Sequence, residues 1–243
     1  MYNRDKPKGQ HGLANPGGEV ASLGKGLIRL VVTVLIMAVV LPVTIIGCSK
    51  PIELPATEVR EYQGQNLSSV NDFRENSIKG PQYVDINTYR LKLTGLVANP
   101  EEYTYDEVVK NHQNYKKVVT LNCVEGWSAT ILWEGVLLKD LINEAQASPE
   151  ANTIIFHAYD GYTSSLPLDF ILNNNILMAY KMNEVPLPPE RGYPFQLVAE
   201  SKWGYKWVKW ITEIELSNDP TYKGYWESYG YSNSGDLDKS FFD

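Results

Sequence analysis

A single thiol stands at the end of an apolar, strand-like segment. Cys123 follows the segment Val118–Asn122 and opens a stretch of small and aromatic residues that runs to Ser128. A thiolate is a soft and strong metal ligand, and one thiolate at a strand end suits a metal that is carried mainly by a cofactor. The alternative is that Cys123 is a small buried hydrophobe, which is a common use of a lone cysteine. Residue type alone leaves both interpretations open.

The sequence does not have the signatures of several other kinds of site. Its three histidines, His11, His112 and His157, do not have the spacing of a zinc or haem site. No glycine-rich phosphate-binding motif is present, which argues against a nucleotide-binding protein. The two cysteines, Cys48 and Cys123, form no haem-attachment motif, so any redox chemistry must exchange electrons with a separate protein.

Five separated segments carry a resemblance to a known family. They are Tyr89–Val97, Cys123–Gly135, Asp160–Pro167, Pro188–Pro194 and Lys202–Trp210. In this order they resemble the motifs of the sulfite oxidase family of molybdopterin-dependent oxidoreductases. The resemblance is strongest to the short prokaryotic type that includes the catalytic subunit of methionine sulfoxide reductase. It extends from about Asn71 to Leu216, which is most of the chain outside the N-terminus.

The resemblance implies an α+β fold of the sulfite oxidase type, with mixed sheets and short helices, and a molybdenum–molybdopterin cofactor. Cys123 is then the catalytic cysteine and a ligand of the metal. Such an enzyme transfers an oxygen atom to or from a small substrate, and the protein orients and tunes the cofactor. The rival hypothesis is a cofactor-free, membrane-anchored binding module on the same scaffold, in which Cys123 only packs.

Eight further residues are expected at the cofactor because they take positions that bind it in the family. These residues are Arg74, Asn76, Asp160, Arg191, Gln196, Trp207, Val208 and Lys209. At position 196 many relatives have an arginine that pairs with the cofactor's phosphate, and a glutamine cannot neutralise that charge. Arg191 would then supply the positive charge that pairs with the phosphate. Structural alternatives stay open for Arg74 and Asn76 as a solvated loop, and for Asp160 as a turn former.

The charge of the side chains near the metal-binding cysteine indicates the class of substrate. Sulfite-oxidising members of the family place arginines just after that cysteine, where this chain has Trp127 and Ser128. Fewer cations disfavour a dianion such as sulfite and favour a neutral sulfoxide or N-oxide. Lys202, Lys206 and Lys209 can still supply positive charge, so sulfite oxidation stays open as well.

Periodicity predicts the elements that position Cys123. Tyr89–Val97 alternates apolar and polar residues as a half-buried strand does. Thr104 and Glu107 form a capping-box signature at the start of a short helix, and a second helix is predicted from Val136. Further strands are predicted at Val118–Asn122, Thr153–Ala158, Ile176–Lys181, Phe195–Ala199 and Trp210–Leu216. Many strands with few short helices indicate an α+β domain and not alternating βαβ units.

The N-terminal part of the chain predicts a membrane tether. Four regions are expected: a cytoplasmic tail (1–26), a signal or membrane segment (27–48), a linker (49–65) and the oxidoreductase domain (66–243). Leu30–Gly47 is an uncharged apolar run of 18 residues, and the charged residues before it are five basic and two acidic ones. Cys48 ends this run as in a lipobox, so it is a candidate for lipidation, and a plain transmembrane helix is the alternative. Either anchor places the domain on the outer face of the cell membrane.

The partners follow from charge and from the electron requirement. The net charge is −7, so nucleic acid is not an expected partner. The expected partners are a small-molecule substrate, the membrane and a separate electron-transfer protein such as a cytochrome or a quinone-linked protein.

Overall fold

Two five-stranded sheets and three short α-helices organise residues 57–242, the part of the chain that the computed structural model describes. The helices are α1 (Tyr105–Asn111), α2 (Leu138–Ala145) and α3 (Leu168–Asn173). The strands are β1 (Glu61–Tyr62), β2 (Gln65–Asn66), β3 (Leu91–Gly95), β4 (Glu101–Tyr103), β5 (Tyr115–Asn122), β6 (Ser128–Leu137), β7 (Thr153–Ala158), β8 (Thr163–Pro167), β9 (Leu177–Met182), β10 (Val185–Pro186), β11 (Gln196–Val198) and β12 (Ile211–Ser217). The predicted α+β class is confirmed.

The first sheet has the strand order β10–β9–β6–β5, with β11 also paired to β9, and its strands are antiparallel. β5 and β6 form a hairpin whose last pair is Asn122 with Ser128, so Cys123 opens the connecting loop. Gly135 lies at a register shift between β6 and β9. A Cβ atom there would come within 2.2 Å of the carbonyl oxygen of Met178. The absence of a side chain at Gly135 therefore permits the close approach of the two strands.

The second sheet has the order β4–β3–β12–β7–β8. β12 is parallel to β3 and antiparallel to β7, and it occupies the centre of the sheet. Its apolar residues Ile211, Ile214 and Leu216 are buried in a core shared with residues of the first sheet. The segment before β12 therefore leads from the first sheet, through β11, directly into the middle of the second.

Of the three helices, α1 agrees with the prediction, α2 begins later than predicted, and α3 was not predicted. α1 has the predicted capping box: the Thr104 hydroxyl accepts a hydrogen bond from the Glu107 backbone N–H, and the Glu107 carboxylate accepts one from the Thr104 backbone. The helix predicted from Val136 begins instead at Leu138. Val136 and Leu137 remain in β6, because they pair with β9 and the ladder outweighs the local helical pattern.

The folded region begins earlier than the predicted boundary at residue 66. The Glu58 carboxylate accepts hydrogen bonds from the Val70 backbone and the Asn183 amide, and the Val59 N–H donates to the Asn183 carbonyl. Glu58 and Val59 of the predicted linker therefore form hydrogen bonds with the domain. The predicted tail, the membrane segment and Cys48 lie outside the described residues. Within residues 57–242 no helix is long and apolar enough to cross a membrane.

The C-terminal residues Tyr222–Phe242, here called the C-terminal strap, lie against the body of the domain. Their backbone is fastened at several points: the Tyr225 N–H donates to the Thr163 carbonyl, and the Trp203 N–H donates to the Gly235 carbonyl. Within the strap Glu227 is completely buried and pairs with Lys206, which is also completely buried, at 2.5 Å. The strap is thus attached by backbone hydrogen bonds and a buried ion pair, while its rings Tyr229 and Phe242 remain 67% and 53% exposed.

Candidate active site

Cys123 lines a cleft of about 400 Å³, here called the active-site cleft. Its walls come from five parts of the chain: the loop at 73–78, the Cys123 loop, the turn between β7 and β8, the segments on both sides of β11, and the C-terminal strap. Seven charged residues line the cleft, three cationic and four acidic. They are Arg74, Arg191, Lys209, Glu75, Glu125, Asp160 and Glu190. A cavity of this size is in the range of small-molecule and cofactor sites.

The Cys123 loop has a fixed backbone. The Cys123 N–H donates to the Trp127 carbonyl at 2.9 Å, and the Gly126 N–H donates to the Cys123 carbonyl at 3.1 Å. Gly126 has a φ of +83°, which glycine adopts without strain. The Trp127 ring stacks on Phe73 with a centroid distance of 5.7 Å. The thiol is therefore presented to the cleft by a rigid hairpin end whose aromatic residue packs on the opposing loop.

The Cys123 thiol is mostly buried and has a polar neighbour. The Asn76 amide nitrogen lies 3.6 Å from Sγ, which is a weak hydrogen bond. Burial raises the pKa of the thiol, while the backbone N–H of Glu125 and the Asn76 amide partly offset that rise. Asn76 and the Trp127 indole also donate to the Glu125 carboxylate and lower its pKa. The predicted pair of Cys123 and Asn76 is thus brought together.

Arg191 fastens the loop that carries Arg74 and Asn76. Its guanidinium donates hydrogen bonds to the backbone carbonyls of Val70, Phe73 and Arg74, and it stacks 4.0 Å from the centroid of the Phe73 ring. Arg191 is buried, and desolvation lowers its pKa, but a guanidinium remains charged. It therefore contributes positive charge at the cleft wall, while its hydrogen bonds hold the loop. The predicted role of replacing an arginine at position 196 stays a prediction.

Lys209 lines the cleft and is paired with an acidic residue. Its ammonium group donates to the Glu75 carboxylate at 2.5 Å and to the Glu190 carbonyl at 3.3 Å. Burial lowers the pKa of Lys209, and Glu75 opposes that effect. Glu75 is a neighbour that the sequence did not indicate, because it lies 134 positions away from Lys209.

Asp160 and Gln196 are both buried and both line the cleft. One Asp160 carboxylate oxygen accepts a hydrogen bond from the Tyr162 backbone N–H at 2.9 Å, which is the turn role considered for it. The Gln196 amide oxygen accepts no hydrogen bond from the described residues. A buried polar atom without a partner is costly, so Gln196 is a position where a ligand can supply the missing donor.

The segment Trp207–Lys209 is only partly exposed to the cleft. Trp207 lines it, and its indole N–H donates to the Lys202 carbonyl at 3.0 Å. Val208 is fully buried and does not line the cleft. Its backbone N–H donates to the Lys206 carbonyl and its carbonyl accepts from the Leu197 N–H. The structure therefore does not bring Val208 to the site, because its backbone groups hold β11 and the following turn together.

Sequence reasoning missed several residues that line the cleft. They are Phe73, Glu75, Tyr162, Tyr205, Trp226 and Tyr231. The density of aromatic residues after position 221 is visible in the sequence, but it does not indicate which rings reach the cleft. Phe73 and Glu75 flank Arg74. The sequence analysis identified their loop but not these two residues, which contact Arg191 and Lys209.

The lysines considered as a source of positive charge are all neutralised. Lys206 pairs with Glu227, and its ammonium also donates to the Ser165 carbonyl. Lys202 pairs with Asp236 and lies 4.4 Å from the centroid of the Phe170 ring. With Lys209 held by Glu75, each of the three lysines has a carboxylate partner.

The Lys202–Asp236 pair makes the attachment of the C-terminal strap depend on pH. Burial alone would raise the pKa of Asp236, but hydrogen bonds from Lys202 and Lys239 outweigh it and lower the pKa from 3.8 to about 2. Because the folded-state pKa is the lower one, this stabilisation is complete above pH 3.8 and is lost as the pH falls towards 2. We expect Asp236→Asn to lower the free energy of unfolding by about 2 kcal/mol near neutral pH, and the difference to shrink in acid.

Urea unfolding of the wild type and Asp236→Asn at about pH 6, 4 and 3 measures this difference. Asp238→Asn is the matched control, because Asp238 is an exposed residue of the same strap. A loss of stability that does not change with pH would contradict the assignment.

The residues of the cleft fit a molybdopterin. No group of three or more His, Cys, Asp or Glu side chains in residues 57–242 is arranged to hold a metal ion, so a metal beside Cys123 needs further ligands from a cofactor. The unpartnered Gln196 oxygen suits an N–H group of a pterin ring. Arg74 and Arg191 are cations on the wall that suit its phosphate.

Comparison with known proteins agrees with this site. Residues 78–226 match the family described as the oxidoreductase molybdopterin binding domain. The chain is similar to an uncharacterized oxidoreductase, YuiH, of Bacillus subtilis, with 35% identity over 64% of this chain and 78% of that protein. It is also similar to the protein-methionine-sulfoxide reductase catalytic subunit MsrP of Gluconobacter oxydans, with 29% identity over 53% of this chain and 46% of that protein.

The fold has a match among solved structures. The sulfane dehydrogenase SoxCD of Paracoccus pantotrophus superimposes with a TM-score of 0.57 and 19% identity, over 72% of this chain and 56% of that one. This likeness confirms the predicted fold type. The chain spans less than half of the MsrP relative, so the activity of that whole protein is not carried over here. The family match covers most of the described domain, and this chain therefore belongs to the molybdopterin-binding oxidoreductases of the sulfite oxidase family.

Proposed function

We propose that this oxidoreductase reduces a small neutral sulfoxide or N-oxide by oxygen-atom transfer, with Cys123 as the protein ligand of a pterin-bound molybdenum. The observation that carries the choice of a neutral substrate is the pairing of Lys202, Lys206 and Lys209 with carboxylates. Because each of these lysines is paired with a carboxylate, none of them supplies the free positive charge that would favour a sulfite dianion, and the remaining cations of the cleft wall, Arg74 and Arg191, are assigned to the cofactor's phosphate. Trp127, which stacks on Phe73, gives the wall an aromatic surface instead.

The chain's own residues would divide the work as follows. When bound, the cofactor supplies the oxygen-atom and one-electron chemistry. Cys123 would hold the metal, and the Asn76 amide 3.6 Å from its sulfur would tune the electron density on that sulfur. Arg191 would keep the Arg74–Asn76 loop in place through its three backbone hydrogen bonds.

The reaction has a defined electron balance. Reduction of a sulfoxide breaks the S–O bond, consumes an electron pair and two protons, and releases a thioether and water. The electrons would come from a separate cytochrome or quinone-linked protein, because residues 57–242 contain one cysteine and no haem-attachment motif. The name of the MsrP relative, a protein-methionine-sulfoxide reductase, supports this direction of the reaction.

We further propose that residues 27–48 tether the enzyme to the outer face of the cell membrane, by a lipid on Cys48 or by a transmembrane helix. The support is the uncharged run Leu30–Gly47 and the basic residues before it. Cell fractionation measures this: the full chain is expected in the membrane pellet and released by detergent. Recovery in the soluble fraction would contradict the tether.

The function is tested on the purified chain from a host with an intact pterin pathway and sufficient molybdenum. We expect close to one molybdenum per chain by elemental analysis, and reduction of sulfoxides with an artificial electron donor at a much higher rate than oxidation of sulfite. Absence of molybdenum would support the cofactor-free binding module instead. Sulfite oxidation as the faster reaction would overturn the choice of a neutral substrate.

A further inference from the structure

Two aromatic residues of the C-terminal strap, Trp226 and Tyr231, line the active-site cleft. The family match ends at Trp226, so Tyr231 and the rest of the strap lie beyond the region that the family describes. The two rings are neighbours, with centroids 5.4 Å apart and planes inclined by 50°. The Tyr231 N–H donates to the Trp226 carbonyl at 3.2 Å. They therefore form one aromatic surface, here called the strap wall.

The strap wall reaches the neighbourhood of Cys123. Tyr231 packs edge-on against Tyr205 at a centroid distance of 5.1 Å, and Tyr205 also lines the cleft. The residue before Tyr205 is Gly204, where a Cβ atom would lie 3.5 Å from the Cys123 Cα. The backbone of Cys123, Gly204 and Tyr205, and the strap wall therefore lie next to one another along the same cleft.

The strap wall is held in place by a buried anchor. Glu227 directly follows Trp226, and its carboxylate accepts hydrogen bonds from the Lys206 ammonium and the Ser164 hydroxyl, both at 2.5 Å. The Tyr205 hydroxyl donates to the Ser232 carbonyl, next to Tyr231, at 2.7 Å. The backbone is therefore held in place next to Trp226, by Glu227, and next to Tyr231, by Ser232.

The chemistry of the strap wall suits an apolar group. Trp226 is 38% exposed, so its ring combines a face in the cleft with access from solvent. Aromatic faces bind apolar and aromatic groups by area burial and ring stacking. The carboxylate beside the wall, Glu227, is fully buried and paired, so it presents no charge to a ligand.

We propose that Trp226 and Tyr231 are specificity-determining residues that bind an apolar substituent next to the atom that is reduced. The enzyme then prefers sulfoxides with an aromatic or long alkyl group over dimethyl sulfoxide. This inference rests on the proposed function, because it concerns the substrate of the same site. Tyr222 belongs to the same strap, does not line the cleft and makes no ring contact with Trp226 or Tyr231 within residues 57–242, which makes it the matched control position.

The test compares kcat/KM for methyl phenyl sulfoxide and for dimethyl sulfoxide in the molybdenum-loaded enzyme. We expect Trp226→Ala to lower the ratio of the two values about tenfold, and Tyr222→Ala to leave it unchanged. Trp226→Phe keeps a ring and is expected to retain most of the preference. Trp226→Leu keeps apolar packing on the strap and replaces the alanine variant if that variant unfolds. We expect it to lower the ratio of the two kcat/KM values less than Trp226→Ala does. An unchanged ratio in the alanine and leucine variants would overturn the proposal.

A binding measurement separates this inference from the proposed function. The dissociation constants of methyl phenyl sulfone and dimethyl sulfone are measured by titration calorimetry on the same proteins. A preference for the phenyl sulfone that is lost in Trp226→Ala supports the strap wall even if no sulfoxide is reduced, and only the proposed function then fails. If sulfoxides are reduced but neither the sulfone preference nor the kcat/KM ratio changes in the variant, the inference fails and the function stands.

Discussion

Cys123→Ser is expected to lower oxidoreductase activity by about 100-fold or more, while the domain stays folded. A hydroxyl is a hard and weakly acidic ligand, so it does not replace a thiolate on molybdenum. Even changes to the groups around metal ligands commonly cost 10–100-fold, and loss of the ligand itself costs at least as much. Serine is close to cysteine in size, and its hydroxyl can accept the hydrogen bond of the Asn76 amide. We therefore expect a loss of about 1 kcal/mol or less in the free energy of unfolding.

Initial rates with an artificial electron donor and urea unfolding of the same preparation measure the two effects. Ser128→Ala is the matched control, because Ser128 ends the same loop, is exposed and does not line the active-site cleft. It should retain wild-type activity. Wild-type activity in Cys123→Ser would show that Cys123 is not the metal ligand. Unfolding of the variant, in a protein whose wild type contains no molybdenum, would show that Cys123 only packs.

Lys206→Met is expected to destabilise the domain by about 3–5 kcal/mol. The Lys206–Glu227 pair is completely buried, and the ammonium also donates to the Ser165 carbonyl. Removal of the ammonium leaves the Glu227 carboxylate in the interior with the Ser164 hydroxyl as its remaining donor. Its second oxygen has no partner among the described residues even in the wild type. The uncompensated charge is the reason for the large effect.

Urea unfolding measures the loss. Lys239→Met is the control, because the Lys239 ammonium also pairs with a strap carboxylate, that of Asp236, but its side chain is 63% exposed. An exposed pair contributes about 1 kcal/mol or less. The double variant Lys206→Met, Glu227→Leu removes both charges and should recover much of the stability. If Lys206→Met lowers the free energy of unfolding no more than Lys239→Met does, the explanation by an uncompensated buried charge is contradicted.

The fold class was predictable because it depends on local patterns. Alternation identified Tyr89–Val97, which contains β3, and the capping box at Thr104 identified α1. The start of α2 was predicted two residues too early. Val136 and Leu137 have a helical pattern with the residues that follow, but their pairing with β9 depends on a strand about 40 positions later. Such a distant partner is not visible in a single sequence.

The candidate site was predictable only through the resemblance of separated motifs. Of the eight residues expected beside Cys123, seven line one cleft with it and Val208 does not. The partners of the lysines were not predictable, because a salt bridge such as Glu75–Lys209 joins residues with no sequence signature in common. Those partners change the conclusion about the lysines. The sequence leaves sulfite oxidation open because three lysines can supply positive charge, but in the structure each of the three is paired with a carboxylate.

The position of β12 has a consequence for the order in which the protein can be made. This strand lies between β3 and β7, although it is the last of the strands in residues 57–242 to be synthesised. Until residues 211–217 have left the ribosome, the second sheet exists as two separate halves, and long-range pairings of this kind form slowly. The second sheet therefore cannot support an enclosed pterin until residues 211–217 have left the ribosome.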